Sequence, residues 1–308
     1  MHLSRSLVLA ETSPPPVVDP SALRAIAPGV WVIADRRVPL VPNIGIIVGE
    51  RTVLVIDTGM GRANGARVLN LARELAPGLP IIATLTHFHP EHGYGAEPFK
   101  GAAHILYNRA QADDLSKKGE GYLAMFRGMG PAVAEALEDT QLVDADETYS
   151  GASHRIDLGG KTAVLHTWGR AHTNGDQVVF LEEDRILFSG DLAEEATFPI
   201  FPWFPPDDAD IDAEGWVRAL DGCLALDPAI VVPGHGEVGD ARILRDVRAY
   251  ILAIDAKVAQ ARAKGFEGET LLAELRPQVL AEHPDWHFPE WIDFAVRYFA
   301  ERTVGARA

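Results

Sequence analysis

From Gly29 onward the chain is built of short apolar runs, each broken after four or five residues by proline, glycine or charge. Val30-Trp31-Val32-Ile33, Ile44-Gly45-Ile46-Ile47-Val48 and Val53-Leu54-Val55-Ile56 are too short for helices and rich in β-branched residues, so they predict strands. After Asp57-Thr58-Gly59 the period changes, and Ala66, Val68, Leu69, Leu71, Ala72 and Leu75 follow helical spacing. Ile81-Ile82-Ala83-Thr84-Leu85 returns to strand. A helical stretch at roughly 109–137 leads to a second strand series: Ala163-Val164-Leu165-His166, Gln177-Val178-Val179-Phe180-Leu181 and Arg185-Ile186-Leu187-Phe188. A helix at about 213–226 follows, then the run Ala229-Ile230-Val231-Val232. The remaining C-terminal part reads as largely helical, with Ile243, Val247, Ile251, Ile254 and Val258 on one stripe. Two strand-rich halves, each flanked by helices, predict an α/β protein of two sheets packed face to face with helices outside. Residues 1–20, with Pro14-Pro15-Pro16 and Pro20, read as an irregular lead-in. The main domain is expected over 21–245, with a helical extension over 246–308 packed on it.

Chemistry collects where the strands end. Thr86-His87-Phe88-His89-Pro90-Glu91-His92-Gly93 follows the fourth run directly and puts four potential metal ligands within six residues. Imidazoles with a carboxylate suit a borderline metal such as zinc. The chain holds 11 histidines in 308 residues; three at fixed places arise by chance in on the order of one chain in a hundred, so the cluster needs support from elsewhere. The second half supplies it. His172 lies in Gly169-Arg170-Ala171-His172-Thr173-Asn174-Gly175, Asp191 in Phe188-Ser189-Gly190-Asp191-Leu192, and His235 in Pro233-Gly234-His235-Gly236. Each follows an apolar strand and has glycine nearby, which lets the backbone turn tightly. His87, His89, Glu91, His92, His172, Asp191 and His235 are too many donors for one tetrahedral zinc. They suit two metals roughly 3.5–4 Å apart, with Asp191 as the natural bridge.

The series His-x-His-x-acid-His, a lone His, Gly-Asp and Gly-His-Gly resembles the metallo-β-lactamase superfamily, over roughly residues 28–240 and including Asp57-Thr58-Gly59. The resemblance implies a four-layer αβ/βα sandwich with two zinc ions at one edge of the sheets. It assigns His87, His89 and His172 to the first metal, Glu91, His92 and His235 to the second, and Asp191 to both. Asp57 is implied as the partner that orients a ligating imidazole. Glu91 departs from the family, which usually carries aspartate there. The extra methylene shifts the carboxylate by roughly 1.5 Å, so Glu91 either reaches the second metal or acts as a base or water-orienting group.

The chemistry implied is metal-assisted hydrolysis of an ester, thioester or lactone by a metal-activated hydroxide, with Glu91 and Asp191 as the catalytic carboxylates. An aspartate at 191 resembles the hydroxyacylglutathione-hydrolase and lactonase branches more than true β-lactamases. Against glutathione thioesters, no basic cluster beyond Arg170 lies near the motifs; against signal lactonases, Leu192-Ala193-Glu194-Glu195 lacks their tyrosine. Other readings are a mononuclear iron enzyme acting on sulfur, a sulfate-ester or β-lactam hydrolase, and a non-catalytic metal-stabilised binding protein. Phe198-Pro199-Ile200-Phe201-Pro202-Trp203-Phe204-Pro205-Pro206 begins seven residues after Asp191. Phe201, Trp203, Phe204 and Arg170 are the expected pocket residues. In 109–137, Tyr122, Met125, Phe126 and Met129 read either as core packing or as an opposing lid.

A net charge of −16 argues against nucleic acid or an anionic membrane as partner and leaves a small-molecule substrate. A homo-oligomer is compatible with the sequence. Cys223, within the helical pattern of Trp216, Val217, Leu220, Leu224 and Leu226, reads as buried packing; a lone cysteine permits no intrachain disulfide. Leu7-Val8-Leu9-Ala10 is too brief for a signal-peptide core, and no run approaches a membrane span, so a soluble cytoplasmic protein is the expectation. His104, His154 and His166 are expected to be packed or exposed without chemistry. His283 and His287, beside Trp286 and Trp291, lie in a region that either caps the pocket or forms a dimer contact.

Overall fold

The computed structural model describes residues 13–305; the first twelve residues of the expected lead-in, including Leu7-Val8-Leu9-Ala10, lie outside them. Seven strands form one sheet in sequence order: β1 (Leu23–Ala27), β2 (Val30–Ile33), β3 (Ile44–Val48), β4 (Val53–Ile56), β5 (Ile81–Thr84), β6 (His104–Asn108) and β7 (Glu147–Tyr149). Five more form the second: β8 (Ser153–Asp157), β9 (Thr162–His166), β10 (Val178–Leu181), β11 (Ile186–Gly190) and β12 (Ile230–Pro233). Helix α1 (Gly61–Leu75) crosses from β4 to β5, and α2 (Pro90–Gly93) is a single turn. Helices α3 (Arg109–Arg127) and α4 (Pro131–Ala136) lie between β6 and β7, and α5 (Ala213–Ala225) between β11 and β12. Helices α6 (Arg242–Ala263), α7 (Gly268–Glu282) and α8 (Ile292–Gly305) complete the chain.

Three apolar layers follow from the alternation of each strand. In β4, Val53 and Val55 face the helices α1 and α3, while Leu54 and Ile56 face the other sheet. In β11, Leu187 packs toward the C-terminal helices and Phe188 toward β3. A Cβ on Gly45 would lie 2.6 Å from the Phe188 ring, so glycine permits the sheets their close approach there. Strands buried on both faces read as continuous apolar runs, and for that reason β2 to β5 and β9 to β12 are visible in the sequence. The result is an αβ/βα sandwich, as the resemblance implies. Helix α5 carries Trp216, Leu220 and Cys223 against the second sheet, and α6 lays its Ile243, Val247, Ile251, Ile254 and Val258 stripe into the same core. Burial raises the Cys223 thiol pKa well above its usual value. Among the described residues no helix is long and apolar enough to cross a membrane.

The reading that begins at Gly29 does not single out β6 or β8 as strands, and it also passes over β1 and the three-residue β7. β1 and β7 lie at sheet edges and carry little of the buried pattern that marks central strands. The single helical stretch over 109–137 is two helices. Gly130, at φ 153°, turns the chain before Pro131 starts the second.

Pairing direction positions the site. β4 and β5 are parallel and in register to Ile56↔Thr84, so Asp57 and Thr86 emerge side by side. β11 and β12 are also parallel, ending at Gly190↔Pro233, which delivers Asp191 and His235 together.

Candidate metal centre

The loop after β5 is tied down before its histidines are presented. Asp57 Oδ1 accepts a hydrogen bond from the Thr86 backbone N–H at 2.7 Å, and the Thr86 hydroxyl lies 3.0 Å from Oδ2. Asp57 itself sits in the left-handed region at φ 66°, a conformation aspartate tolerates better than most residues. The Gln177 side-chain amide donates to Leu85 O at 2.6 Å, and the Gln177 backbone N–H to Thr86 O at 2.8 Å. His172 is braced from behind, where Asp176 accepts from the Thr173 N–H at 2.7 Å and its hydroxyl at 2.9 Å. Asp191 lies within a turn closed by Ala193 N–H to Gly190 O. Trp216 Nε1 donates to Leu192 O at 2.8 Å. His235 is held by Asn43, whose side-chain amide donates to Pro233 O and Gly236 O.

These loops converge into two adjoining donor groups. His87, His89 and His172 offer ligand atoms within 4.8 Å of one another, as do Glu91, His92, Asp191 and His235. Asp191 faces both groups. Its Oδ2 lies 3.8 Å from His87 Nε2, while its Oδ1 lies 3.2 Å from His92 Nε2 and 3.8 Å from His235 Nε2. His172 Nε2 and His89 Nδ1 are 3.4 Å apart. His92 turns its other nitrogen to Asp57 Oδ2 at 2.8 Å, which leaves Nε2 toward the cluster. His87 Nε2, His92 Nε2, Glu91 Oε2 and Asp191 Oδ1 are buried with no hydrogen-bond partner. Four orphaned polar atoms pointing at a shared centre would be costly in a structural core, and they fit a site for divalent cations.

The electrostatics suit that role. Burial, with repulsion from neighbouring imidazoles, holds His87 and His89 well below the usual histidine range, so they are neutral donors. Burial brings His172 to about 4 and also lowers His235. Burial would raise Asp191, but His92, His235 and His87 outweigh it and keep the carboxylate ionised. Burial likewise opposes charge on His92, yet Asp191 and Asp57 on either side raise its pKa well above normal. Burial pushes Glu91 up to about 7 against the pull of His92, and Asp191 adds to the rise. Glu194, also buried, is pushed well above the carboxylate range by burial and then by Asp191.

A cavity of about 420 Å³ opens from the donor groups. Tyr122, Met125, Phe126 and Met129 form one wall, so the 109–137 segment does face the site. Phe288 and Trp291 close it from the C-terminal side, together with His287. Three expected pocket residues are elsewhere. In the extended segment 200–204 alternate residues point opposite ways: Ile200, Pro202 and Phe204 line the cavity, while Phe201 is wholly buried against Trp216, Tyr298 and Phe299. Trp203 packs toward Tyr298, and Arg170 donates its Nε–H to Asp210 O at 2.8 Å, away from the cavity. Residues not anticipated include Arg37, whose guanidinium holds the Glu195 carboxylate and carbonyl at the rim. Tyr122 stacks on His89, 5.0 Å between ring centres, and donates to Asp208 Oδ2 at 2.7 Å. His104 is an exposed partner of Glu147, His154 lies against Tyr149, and His166 stacks on Trp168, all remote from the donors.

Residues 37–235 match the family model of the metallo-beta-lactamase superfamily. The chain belongs to that superfamily. Helices α6 to α8 lie beyond the matched residues. Among curated superfamily relatives, the linear primary-alkylsulfatase of Pseudomonas sp. (strain ATCC 19151) is 24% identical over 256 residues, 73% of this chain and 48% of the sulfatase. The chain thus spans about half the length of that relative. The acyl-coenzyme A thioesterase MBLAC2 of Gallus gallus is 26% identical over 235 residues, 68% of this chain and 78% of the thioesterase. A solved metallo-beta-lactamase from Pontibacter korlensis shares the fold at TM-score 0.59 and 18% identity, covering 75% of this chain and 98% of its own.

Proposed function

We propose that this metallohydrolase is a di-zinc enzyme that cleaves an ester, thioester or lactone carrying an apolar acyl, alkyl or aromatic part. The observation that carries the reading is Asp191, whose two oxygens face separate donor groups at the mouth of an apolar cavity. His87, His89 and His172 would hold one cation, and Glu91, His92 and His235 the other, with Asp191 contacting both. Cations held there would supply an activated water near neutral pH and would polarise the scissile carbonyl. The chain does the rest. Asp57 fixes the His92 ring through Nδ1, and Tyr122 stacks on His89 and limits its rotation. Glu91 and Asp191 present carboxylates on the cavity wall, where they orient the attacking water, accept the proton it gives up and hand that proton to the leaving group. The apolar wall takes the tail of the substrate and excludes bulk water.

The names of two relatives, an acyl-coenzyme A thioesterase and a linear alkylsulfatase, support a substrate with an acyl or alkyl part. The sulfatase also makes a sulfate ester the second reading for the same site. The test is a panel of p-nitrophenyl octanoate, an octanoyl thioester, a lactone, octyl sulfate and nitrocefin, before and after chelation, with zinc or iron restored separately. Carboxylic ester or thioester cleavage lost on chelation and regained with zinc is the expected result. Sulfate release alone would establish the second reading, recovery by iron alone would replace zinc, and turnover indifferent to chelation would overturn both.

A further inference from the structure

The imidazoles of the cluster are oriented by two different means. His92 and His87 each present Nδ1 to a polar side chain, Asp57 Oδ2 at 2.8 Å and the Thr86 hydroxyl at 3.2 Å. His89 and His172 have no such partner. His89 Nδ1 and His172 Nε2 face each other, while His89 Nε2 and His172 Nδ1 are buried with no hydrogen-bond partner among the described residues. Aromatic rings confine these two instead. Trp216 meets His172 edge-on, 5.1 Å between ring centres, and Tyr122 lies over His89 at 5.0 Å with 25° between the planes. An imidazole without an outer hydrogen bond depends on such packing for its direction.

The Tyr122 ring is in turn held by an ion network to which none of the metal donors belongs. Its hydroxyl donates to Asp208 Oδ2 at 2.7 Å, and Lys118 Nζ donates to Asp208 Oδ1 at 3.0 Å. Lys118 also reaches Asp210 at 2.7 Å and Asp114 at 3.3 Å, and its ammonium stands 5.5 Å from the centre of the Phe88 ring. Asp114 accepts from the Asn174 N–H at 3.3 Å, in the loop that carries His172. The backbone of Asp208 is fixed as well, by its N–H to Phe204 O at 3.0 Å and by Phe204 N–H to Asp208 O at 2.7 Å. Asp114, Asp208 and Tyr122 are buried, and the Lys118 side chain is 9% exposed. Taking an ammonium and two carboxylates out of water is costly, so such a network adds little to stability. Its directional bonds do restrict where the Tyr122 ring can lie.

We propose that Asp208, anchored by Lys118, is a positioning residue for the first metal: it keeps the Tyr122 ring on His89 and thereby fixes an imidazole that no outer hydrogen bond orients. This rests on the di-zinc hydrolase reading above, and the experiment tells failure of one from failure of the other.

Zinc affinities of the unmodified protein and of Asp208→Ala, Asp208→Asn and Tyr122→Phe are measured by competition with a chromophoric chelator. Anomalous peak heights from crystals at limiting zinc assign each affinity to its donor group, and urea unfolding controls for the fold. Asp208→Ala and Tyr122→Phe should each weaken zinc at His87, His89 and His172 by ~10-fold or more and at the second group by less than ~3-fold. Asp208→Asn keeps a hydrogen-bonding partner for the Tyr122 hydroxyl and should stay within ~3-fold at both. The double variant Tyr122→Phe/Asp208→Ala should lose no more than the worse single, because both break one link. If Asp208→Ala does not fold, Tyr122→Phe, which keeps the ring and removes only the hydroxyl, carries the test. Unchanged affinity at the first group in Tyr122→Phe, equal losses at both groups, or single losses that add overturns the inference and leaves the hydrolase standing. The expected losses, with no ester, thioester or lactone cleaved by the zinc-loaded unmodified protein, keep the inference and remove the hydrolase. Failure of the unmodified protein to bind zinc at these residues removes both.

Discussion

Replacing Asp57 by asparagine tests whether a residue outside both donor groups controls the second one. The substitution is nearly isosteric, and asparagine also tolerates the φ of 66° found at this position. Its side-chain oxygen can keep the 2.7 Å bond from the Thr86 N–H. What changes is the atom 2.8 Å from His92 Nδ1, where a carboxylate oxygen becomes an NH2 donor. His92 then either meets donor with donor or moves its proton to Nε2, the nitrogen that faces Asp191 at 3.2 Å and must be bare to bind metal. Loss of a buried charge-assisted bond costs about 1.5–3 kcal/mol. Loss of the partner that orients a metal-binding histidine typically costs ~10–100-fold in affinity, or about 1.4–2.7 kcal/mol. The two routes agree. Competition with a chromophoric chelator should show one zinc weakened by ~10–100-fold and the other by less than ~3-fold. Equal loss at both sites, or none at either, would refute the coupling through His92.

Gly234→Ala places a Cβ 1.9 Å from Asp191 Oδ1. Displacing that carboxylate by about 1 Å should lower kcat/KM by ~100-fold or more with circular dichroism preserved; near-normal activity would show that the Asp191 position is not critical. Burial pushes Asp176 up to about 7 against its two bonds from Thr173. Between about pH 4 and 7 the native state then keeps a proton that the unfolded chain has lost, and native stability falls as pH rises through that window. Asp176→Asn, always neutral, should gain on the native sequence across it by on the order of 2–4 kcal/mol; urea midpoints with a pH-independent difference would contradict this. Phe126→Ala removes part of the cavity wall. It should cost ~10–100-fold in kcat/KM on an octanoyl ester and less than ~3-fold on an acetyl ester; equal losses would place the tail elsewhere.

The donors were legible in the sequence because each sits where an apolar strand ends, and parallel pairing of β4 with β5 and of β11 with β12 turns such ends into neighbours. The Asp57 partner came from the resemblance alone, since an acid at a strand end has no distinctive spacing. The pocket was less legible. The segment 198–206 mixes aromatics with proline along its whole length, and which faces point inward depends on α8, whose Tyr298 and Phe299 draw Phe201 away from the cavity and leave Phe204 in it. Arg37 and Leu40 belong to a loop without periodicity, so nothing local announced that it reaches the rim. Tyr122 was visible as an aromatic on a helix, but its stacking on His89 requires the helix to be folded over the strand ends. Strands β1 and β7 lack the double-sided burial that makes a central strand readable.

The most direct measurement is anomalous diffraction at the zinc edge from crystals of the zinc-loaded protein. The account predicts two peaks roughly 3.5–4 Å apart, one within ligating distance of His87, His89 and His172, the other of His92, His235 and Glu91, with Asp191 between them. A single peak, or peaks away from these side chains, would contradict it.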